Sequence, residues 1–468
     1  VSSLAAALDA TRYQSYVYAY PHKTAYRPLD PPRPLGPVWA GERRDALFLY
    51  VHIPFCEQRC GFCNLFTRPV PEARQVDAYL ATLTRQAHVV RRALDEGGAF
   101  AIARAAIGGG TPTLLDTRQL ERVIAVMRDV GLGAPGRGVA MSVETSPETA
   151  LPDRLAVVVG SGADRISIGV QSFVDAECKA VNRPQRATDV HRALRAIRDA
   201  GPATLNIDLM YGLPGQTAAS WQASLAAALD YRPEELYLYP LYVRPLTTLG
   251  KRSAEAGDPT GSLHPAGAAF AGTSRDLASL IDAGRVALYD HGREVLLAAG
   301  YRQVSLRMFR RDDADTSAGP VYCCQDDGMI GLGCGARSYT RELHYSTEWA
   351  VGARGVRGIL DRWIQRDDAA FAVADYGFSL DAGEQRRRWV ILSLLSEHGL
   401  DVAAYRARFG ADPVAEFPEL AELVPRGLAS HDGDALRLTP EGLGRADALG
   451  PWLYSADVKR RMADYELT

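Results

Sequence analysis

Cys56, Cys60 and Cys63 fall within eight residues in a C-x3-C-x2-C spacing, whereas Cys178, Cys323, Cys324 and Cys334 are scattered far downstream. Three thiols crowded into one short loop suit metal chemistry better than cross-linking, and seven cysteines in 468 residues are too few for a disulfide framework. A structural zinc ion takes four protein ligands in a tetrahedron. His52 could be the fourth, but a histidine inside a strand just ahead of the loop is poorly placed to close the shell. An iron-sulfur cluster held by three thiolates leaves one iron without a protein ligand, and a small chelating molecule can bind there. Three buried structural thiols are the third and weakest alternative for this spacing.

Other residues along the chain could serve a ligand beside that loop. In Gly108-Gly109-Gly110-Thr111-Pro112-Thr113, the glycines let backbone amides approach a ligand with no side chain between. Glu144 and Asp208 can accept from an ammonium group or a ribose diol, and Gln171 can both donate and accept. Arg183 can grip a carboxylate through two parallel hydrogen bonds. Tyr50, on the strand before the cysteines, fits a core tyrosine as well as a ligand contact.

The elements that must position these residues follow an alternating rhythm. Strands are expected at 46–53, 105–107, 139–144, 165–169, 204–210 and 235–241, with helical stretches of crossover length between them, as at 77–96. Near-continuous apolar strands alternating with helices imply an α/β fold with a parallel sheet covered by helices on at least one side. Periodicity leaves open whether that sheet closes into a barrel. Beyond a Gly-, Ala-, Ser- and Thr-rich break at 245–274, a helix is expected at 275–300 and a strand at 303–306, followed by the run Met329-Ile330-Gly331-Leu332-Gly333-Cys334-Gly335. Ahead of the sheet, residues 11–39 hold five tyrosines (13, 16, 18, 20 and 26) and six prolines, which predict an extended arm lying over the following domain. A linker packed by its aromatics and a substrate-covering role for Tyr20, His22, Lys23 and Arg27 are equally compatible with that arm. From about 367, short amphipathic helices at 388–396, 402–409 and 418–423, the run Leu436-Arg437-Leu438 and a proline-started helix at Pro440 resemble a small winged-helix module. It has no concentrated basic recognition helix, so packing against the main domain is expected rather than nucleic-acid binding. The division is therefore 1–44 arm, 45–245 core, 246–366 core extension and 367–468 C-terminal module.

The cysteine loop resembles the hallmark of the radical S-adenosylmethionine (SAM) superfamily. The stretch from Tyr50 through Phe66 is similar to the oxygen-independent coproporphyrinogen III oxidase family and its relatives, including haem chaperones. Further motifs follow in the family's order: the glycine run at 108–113, Glu144-Thr145-Ser146-Pro147, Ile168-Gly169-Val170-Gln171-Ser172-Phe173, Val181-Asn182-Arg183 and Asp208 through Thr217. The resemblance implies a partial or closed βα barrel with a [4Fe-4S] cluster on Cys56, Cys60 and Cys63 near its C-terminal mouth. An electron entering that cluster, from a reduced flavodoxin- or ferredoxin-type donor, would cleave SAM to a 5′-deoxyadenosyl radical that abstracts hydrogen from substrate. It also implies SAM contacts at Tyr50, Phe62, Gly109, Gly110, Thr111, Glu144, Gln171, Arg183, Asp208 and Tyr242, with Phe62, Gly110, Thr111, Gln171, Arg183 and Asp208 matching a second SAM position. An anionic tetrapyrrole substrate would need cations, for which His22, Lys23, Arg27, Arg244 and Arg337 are candidates.

Departures mark a separate branch. Leu65 stands where the oxidases commonly carry a further cysteine, and His344-Tyr345-Ser346-Thr347-Glu348-Trp349 does not match the chaperones' Tyr-Trp motif. The Pro21 to Leu29 segment belongs to neither group. Three activities therefore stand side by side: tetrapyrrole oxidation or oxidative decarboxylation, radical methylation or cyclopropanation with a second SAM, and haem carriage without turnover. Cys323 and Cys324 are expected to be free thiols near the pocket.

Composition bounds the remaining possibilities. An apolar fraction of 47% and a charged fraction of 23% are ordinary globular values, and 468 residues call for more than one core. A net charge of −3 argues against a whole-molecule grip on nucleic acid or anionic membrane. No apolar run has the length of a membrane helix, and a cytoplasmic protein is expected.

Overall fold

Alternation along six successive strands, broken at two register shifts, gives the sheet two unlike faces. Leu47, Leu49, Val51 and Ile53 are fully buried in the main apolar core, as are Ile107, Val143, Ile166, Ile168, Leu205, Ile207, Leu209, Leu236 and Leu238. The intervening positions carry Tyr50, His52, Arg104, Ser142, Glu144, Arg165, Ser167, Asn206, Asp208, Glu235, Tyr237 and Tyr239. Because side chains alternate with a period of two, helices cover one face while the other is a polar wall. The expected parallel sheet is thus covered by helices on one side.

The computed structural model describes residues 3–9, 11–133, 139–183, 185–255, 274–314 and 328–466, the side chains of 274–281 excepted. Cys323 and Cys324 lie outside the described residues. The main sheet has thirteen strands. In chain order they are β1 (Arg27–Pro34), β2 (Leu47–Ile53), β3 (Ile102–Gly109), β4 (Ala140–Thr145), β5 (Arg165–Gln171), β6 (Thr204–Tyr211), β7 (Glu235–Pro240), β8 (Tyr301–Gln303), β9 (Met308–Arg311), β10 (Met329–Leu332), β11 (Arg337–Tyr339), β12 (Leu343–Ser346) and β13 (Val373–Ser379). Strands β10 and β2 through β7 run parallel as neighbours. Antiparallel strands extend both flanks, β9 and β8 beyond β7, and β11, β12, β13 and β1 beyond β10. With β1 and β8 as its two edges, the sheet is an open, partial barrel.

The crossover helices form where apolar residues recur at three- and four-residue spacing. Thr117–Val130 buries Leu120, Val123, Ile124, Met127 and Val130, and a capping box of Asp116 and Gln119 fixes its start. Ala187–Ala200 buries Val190, Ala193, Leu194 and Ile197 and stops at Gly201, whose φ of 74° suits a residue without a Cβ. Of the strand expected at 303–306, Gln303 ends β8 and the rest is the turn of the β8–β9 hairpin, closed by Val304 N–H donating to Met308 O at 2.8 Å. Local propensity marked the apolar run but not its reversal.

A second core lies C-terminal to the sheet, where Leu400–Asp401, Ala429–Asp432 and Ala435–Leu438 form a three-stranded sheet with the helices Ala382–Leu394 and Val402–Phe409. Strand β13, which lies beyond the division expected at 367, belongs to the main sheet. The N-terminal arm stitches the two cores together. Leu4, Ala7, Tyr20, Ala25 and Tyr26 belong to the C-terminal core, Tyr13 to the main core, and Tyr18 and Ala19 to a cluster with Phe48, Ala106, Met329 and Tyr339 on the polar side of the sheet. Strand β1 pairs with β13, so part of the expected arm is an edge strand. Its four prolines are tolerated there because an edge strand need not donate outward.

Candidate active site

The cysteine loop leaves the C-terminal end of β2, where ligand sites gather in parallel sheets. Phe55–Cys56 and Arg68–Pro69 pair as a short parallel ribbon beneath it, with Val70 N–H donating to Cys56 O at 2.8 Å. Gly61 clamps the far side, donating to Val181 O at 2.7 Å and accepting from Leu249 N–H at 2.9 Å. A Cβ at Gly61 would lie 2.9 Å from Val181 O, so only glycine fits. Cys56, Cys60 and Cys63 are half-buried and free. Burial pushes the Cys56 thiol up to about 12, with Cys63 and Cys60 adding to the rise, and burial also raises Cys63. Three thiolates this close need a positive centre between them. Among the described residues no three His, Cys, Asp or Glu side chains converge on a single ion. His52, the fourth zinc ligand considered, turns away: its ring contacts Tyr50 Oη at 3.2 Å and Phe66 O at 3.2 Å.

The glycine run packs against this loop. Gly110 N–H donates to Ile53 O at 2.8 Å and Thr111 N–H to Phe55 O at 2.7 Å, while Thr111 Oγ1 lies 3.7 Å from Cys56 Sγ. A Cβ on Gly110 would sit 2.8 Å from Cys56 Sγ and 2.5 Å from Phe55 O. Gly109 N–H donates to Glu144 Oε2 at 2.9 Å, and a Cβ on Gly108 would strike the same carboxylate. Burial raises the Glu144 pKa against that hydrogen bond.

Asp208 faces the same wall two strands away. Asn206 Nδ2 donates to its Oδ1 at 2.8 Å, yet burial outweighs this bond and lifts Asp208 to about 7, with the charges of Glu144 and Glu235 assisting. Opposite Asp208 on β5 the register slips between Gly169 and Gln171. Gln171 takes a φ of 69°, and its amide nitrogen lies where a Cβ on Gly169 would be 3.0 Å away. A non-glycine residue in the left-handed region is uncommon and clusters at functional sites. The buried Gln171 Oε1 has no hydrogen-bond partner among the described residues, and neither has Asn206 Oδ1. Orphaned amide oxygens beside two desolvated carboxylates fit an amine- and hydroxyl-bearing cofactor such as SAM, which would supply their missing donors.

Arg183 is committed within the protein. Its Nη1 lies 3.1 Å from Cys60 Sγ, its Nε donates to Gln185 Oε1 at 2.6 Å, and its Nη2 donates to Gly169 O. It therefore ties the cluster loop to the Gln171 bulge. Phe62 packs among Val181, Met210, Leu213, Leu241 and Leu249. Tyr242 is held in a buried network that the sequence did not reveal: its Oη donates to Asp447 and accepts from Arg307 Nη2 at 2.6 Å, and Arg307 Nη2 donates to Asp447 Oδ2 at 2.6 Å. Asp447 comes from a C-terminal helix (446–452), so the module beyond the sheet reaches the floor of the site.

The arm divides. Tyr20 is fully buried and its Oη donates to Glu384, placing it in the C-terminal core. Arg27 is spent on the carbonyls of Thr24 and Tyr26, at 2.9 and 2.7 Å, and of Arg461. Lys23 and His22 instead face Arg337 and the cluster loop: Lys23 couples to Cys63 and Arg337, and His22 to Lys23, Arg337 and Arg244. Burial lowers Lys23 to about 8 and keeps His22 neutral. Arg337 donates to Tyr18 Oη at 2.8 Å. Tyr18, read from sequence only as one of the five arm tyrosines, joins these cations.

Comparison with known proteins bears directly on this site. Residues 50–228 match the Radical SAM superfamily model, and residues 380–443 match the HemN C-terminal domain. An oxygen-independent coproporphyrinogen III oxidase of Paracoccus denitrificans is 31% identical over 418 residues, covering 85% of this chain and 84% of the relative. The chain belongs to the radical SAM superfamily, in the family of the oxygen-independent coproporphyrinogen III oxidases. Heme chaperone HemW of Escherichia coli, 29% identical over 302 residues, covers 62% of this chain and 69% of the relative. The fold is that of the Escherichia coli coproporphyrinogen III oxidase HemN, with a TM-score of 0.73 at 21% identity across the full length of both chains. Radical SAM proteins use a [4Fe-4S] cluster and SAM, and the three free cysteines and the polar wall are the residues that would hold them. No helix among the described residues is long and apolar enough to cross a membrane.

Proposed function

We propose that this protein is a radical SAM oxidoreductase that takes a hydrogen atom from an anionic tetrapyrrole-class substrate, as in the oxidative decarboxylation of a porphyrinogen. The observation that carries the reading is the juxtaposition, on one polar wall, of the cysteine loop, the Glu144-bound glycine run and the strained Gln171 with its orphaned amide oxygen. When bound, the cluster and SAM supply a 5′-deoxyadenosyl radical that abstracts a carbon-bound hydrogen.

The chain's own residues hold and exclude. Glu144 and Asp208 offer carboxylates to the ammonium and ribose of SAM, Gln171 accepts a further donor, and the Gly109–Gly110 backbone approaches closely enough for contact. Arg183 restrains Cys60, so the loop and the bulge keep a fixed relation. The aromatic arm residues Tyr16 and Tyr18 cover the wall and keep water from a reactive radical, with Tyr16 and Tyr239 ring centroids 6.0 Å apart. Leu65 and Val70, 48% and 71% exposed beside Cys63 and Cys56, give a ferredoxin- or flavodoxin-type donor an apolar contact next to the cluster.

Haem carriage without turnover receives less support. A carrier needs an open iron ligand at the site, and His52, the histidine on the polar wall, is buried with partners. The test is anaerobic reconstitution with iron and sulfide, then mass spectrometry of SAM products with and without coproporphyrinogen III. Substrate-dependent 5′-deoxyadenosine supports hydrogen abstraction, and S-adenosylhomocysteine would replace it with methyl transfer. No SAM cleavage together with a specific haem complex would overturn the reading in favour of a carrier.

A further inference from the structure

We propose that Lys23 and Arg337, gathered around Tyr18 by the N-terminal arm, form a subsite for a carboxylate of the substrate beside the cluster loop. The inference rests on the radical SAM oxidoreductase reading and adds the element that selects its substrate.

Two buried arginines elsewhere meet carboxylates: Arg165 pairs with Glu235 at 2.7 Å and Arg307 with Asp447 at 2.6 Å. Lys23 and Arg337 differ from these two, since neither makes an ion pair with a carboxylate among the described residues. Lys23 Nζ sits 3.8 Å above the Trp349 ring, and Arg337 stacks over Tyr18 at 4.7 Å while donating to its hydroxyl at 2.8 Å. Tyr18 also packs edge-on against His22, ring centroids 6.2 Å apart, and His22 Nδ1 is tied to Thr24 Oγ1 at 2.8 Å. The loop Pro21 to Tyr26 is thereby fixed, and Lys23 is carried to within the electrostatic reach of Cys63.

Two half-buried cations that share the Tyr18 hydroxyl rather than a carboxylate are costly, because removing an ion from water costs several kcal/mol unless an opposite charge meets it. Both are half-buried rather than sealed, so an anion can enter. Arg337 can present a planar fork to a carboxylate and Lys23 a mobile point charge beside it. Aromatic rings of Trp349 and Tyr18 hold the two side chains in place when no ligand is bound. Arg27, also a candidate by sequence, is excluded because backbone carbonyls of Thr24, Tyr26 and Arg461 already engage it.

The chain has only four lysines, at 23, 179, 251 and 459, so amine acylation followed by mass spectrometry reads Lys23 against three internal controls. In the reconstituted full-length protein, coproporphyrin III should slow Lys23 acylation roughly tenfold relative to Lys179 and Lys251, the scale of a charge-assisted pair. Its neutral tetramethyl ester should not. Arg337→Gln should lose the protection and Arg337→Lys keep part of it, which separates anion binding from a folding defect. Equal protection by acid and ester, no protection by the acid, or protection by SAM alone would each overturn the subsite. So would a Lys23 that is inert in the free protein, because an empty subsite must be open. Formation of 5′-deoxyadenosine by the wild-type protein judges the radical reading separately.

Discussion

Gly110 shows how little freedom the cluster loop allows. A single added carbon there would stand 2.5 Å from Phe55 O and 2.8 Å from Cys56 Sγ, and the first of these is backbone that cannot rotate away. Gly110→Ala should therefore fold but assemble little cluster, measured as iron and acid-labile sulfide per chain after reconstitution. Wild-type iron content in that variant would show that the contact is slack. Cys60→Ala should lose the broad visible absorbance of thiolate-bound iron, and an unchanged spectrum would remove the cluster assignment. Asp208 gives a pH signature. Its carboxyl ionises near 3.8 when exposed but at about 7 when folded, because burial disfavours the charged form. The folded state thus holds a proton that the unfolded state has released, and stability falls as pH rises from about 4 to about 7, by at most about 4 kcal/mol. Asp208→Asn retains an acceptor for Asn206 and should flatten that fall in thermal unfolding runs at pH 5 and pH 8; an equally steep fall would contradict the raised pKa.

The cofactor-facing residues were legible in the sequence because they sit at strand ends in short motifs: the triad, the glycine run, Glu144, Gln171 and Asp208. Arg307 and Asp447 were not, because they are 140 residues apart and neither lies in a recognisable local pattern. At the scale of elements this pair matters, since it pins helix 446–452 against the β8–β9 hairpin and the end of β7. Breaking a buried ion pair from one side costs about 3–5 kcal/mol, whereas replacing both partners with apolar residues is often nearly neutral. Asp447→Ala should accordingly lower the urea midpoint strongly, and Arg307→Met with Asp447→Leu should recover much of the loss. Additive losses in the double variant would mean that the two residues act independently. Strand β13 and the β8–β9 turn were also beyond local reading, because pairing partners rather than propensity decide them.

The whole molecule is held by its first residues as much as by its last. Sequence read 1–44 as an arm because prolines and tyrosines give no helical or strand period. Its true course, through both cores and along the polar wall, depends on contacts hundreds of residues away, such as Arg12 with Glu441 and Ser15 with Asp447. Deleting residues 1–26 should uncover Phe48, Met329 and Tyr339 on the polar side and the C-terminal core at Phe378 and Leu380. The expected result is strong binding of an apolar dye and precipitation at concentrations where the full chain stays clear; a well-behaved truncated protein would show that the arm is dispensable to the fold.

Strand β1 has its partner in β13, and Pro34 pairs with Val373. On a ribosome, β1 emerges about 340 residues before the strand it will join, a delay of roughly 20 to 70 seconds at ordinary elongation rates. During that interval an ordinary apolar strand would be free to pair with any exposed edge, including those of other nascent chains. Pro28, Pro31, Pro32 and Pro34 remove half of the amide donors of β1's eight residues, so the segment is a poor template while it waits. Its composition is thus suited to the order of synthesis: sticky enough to close the sheet at the end, and too blunt to begin one alone.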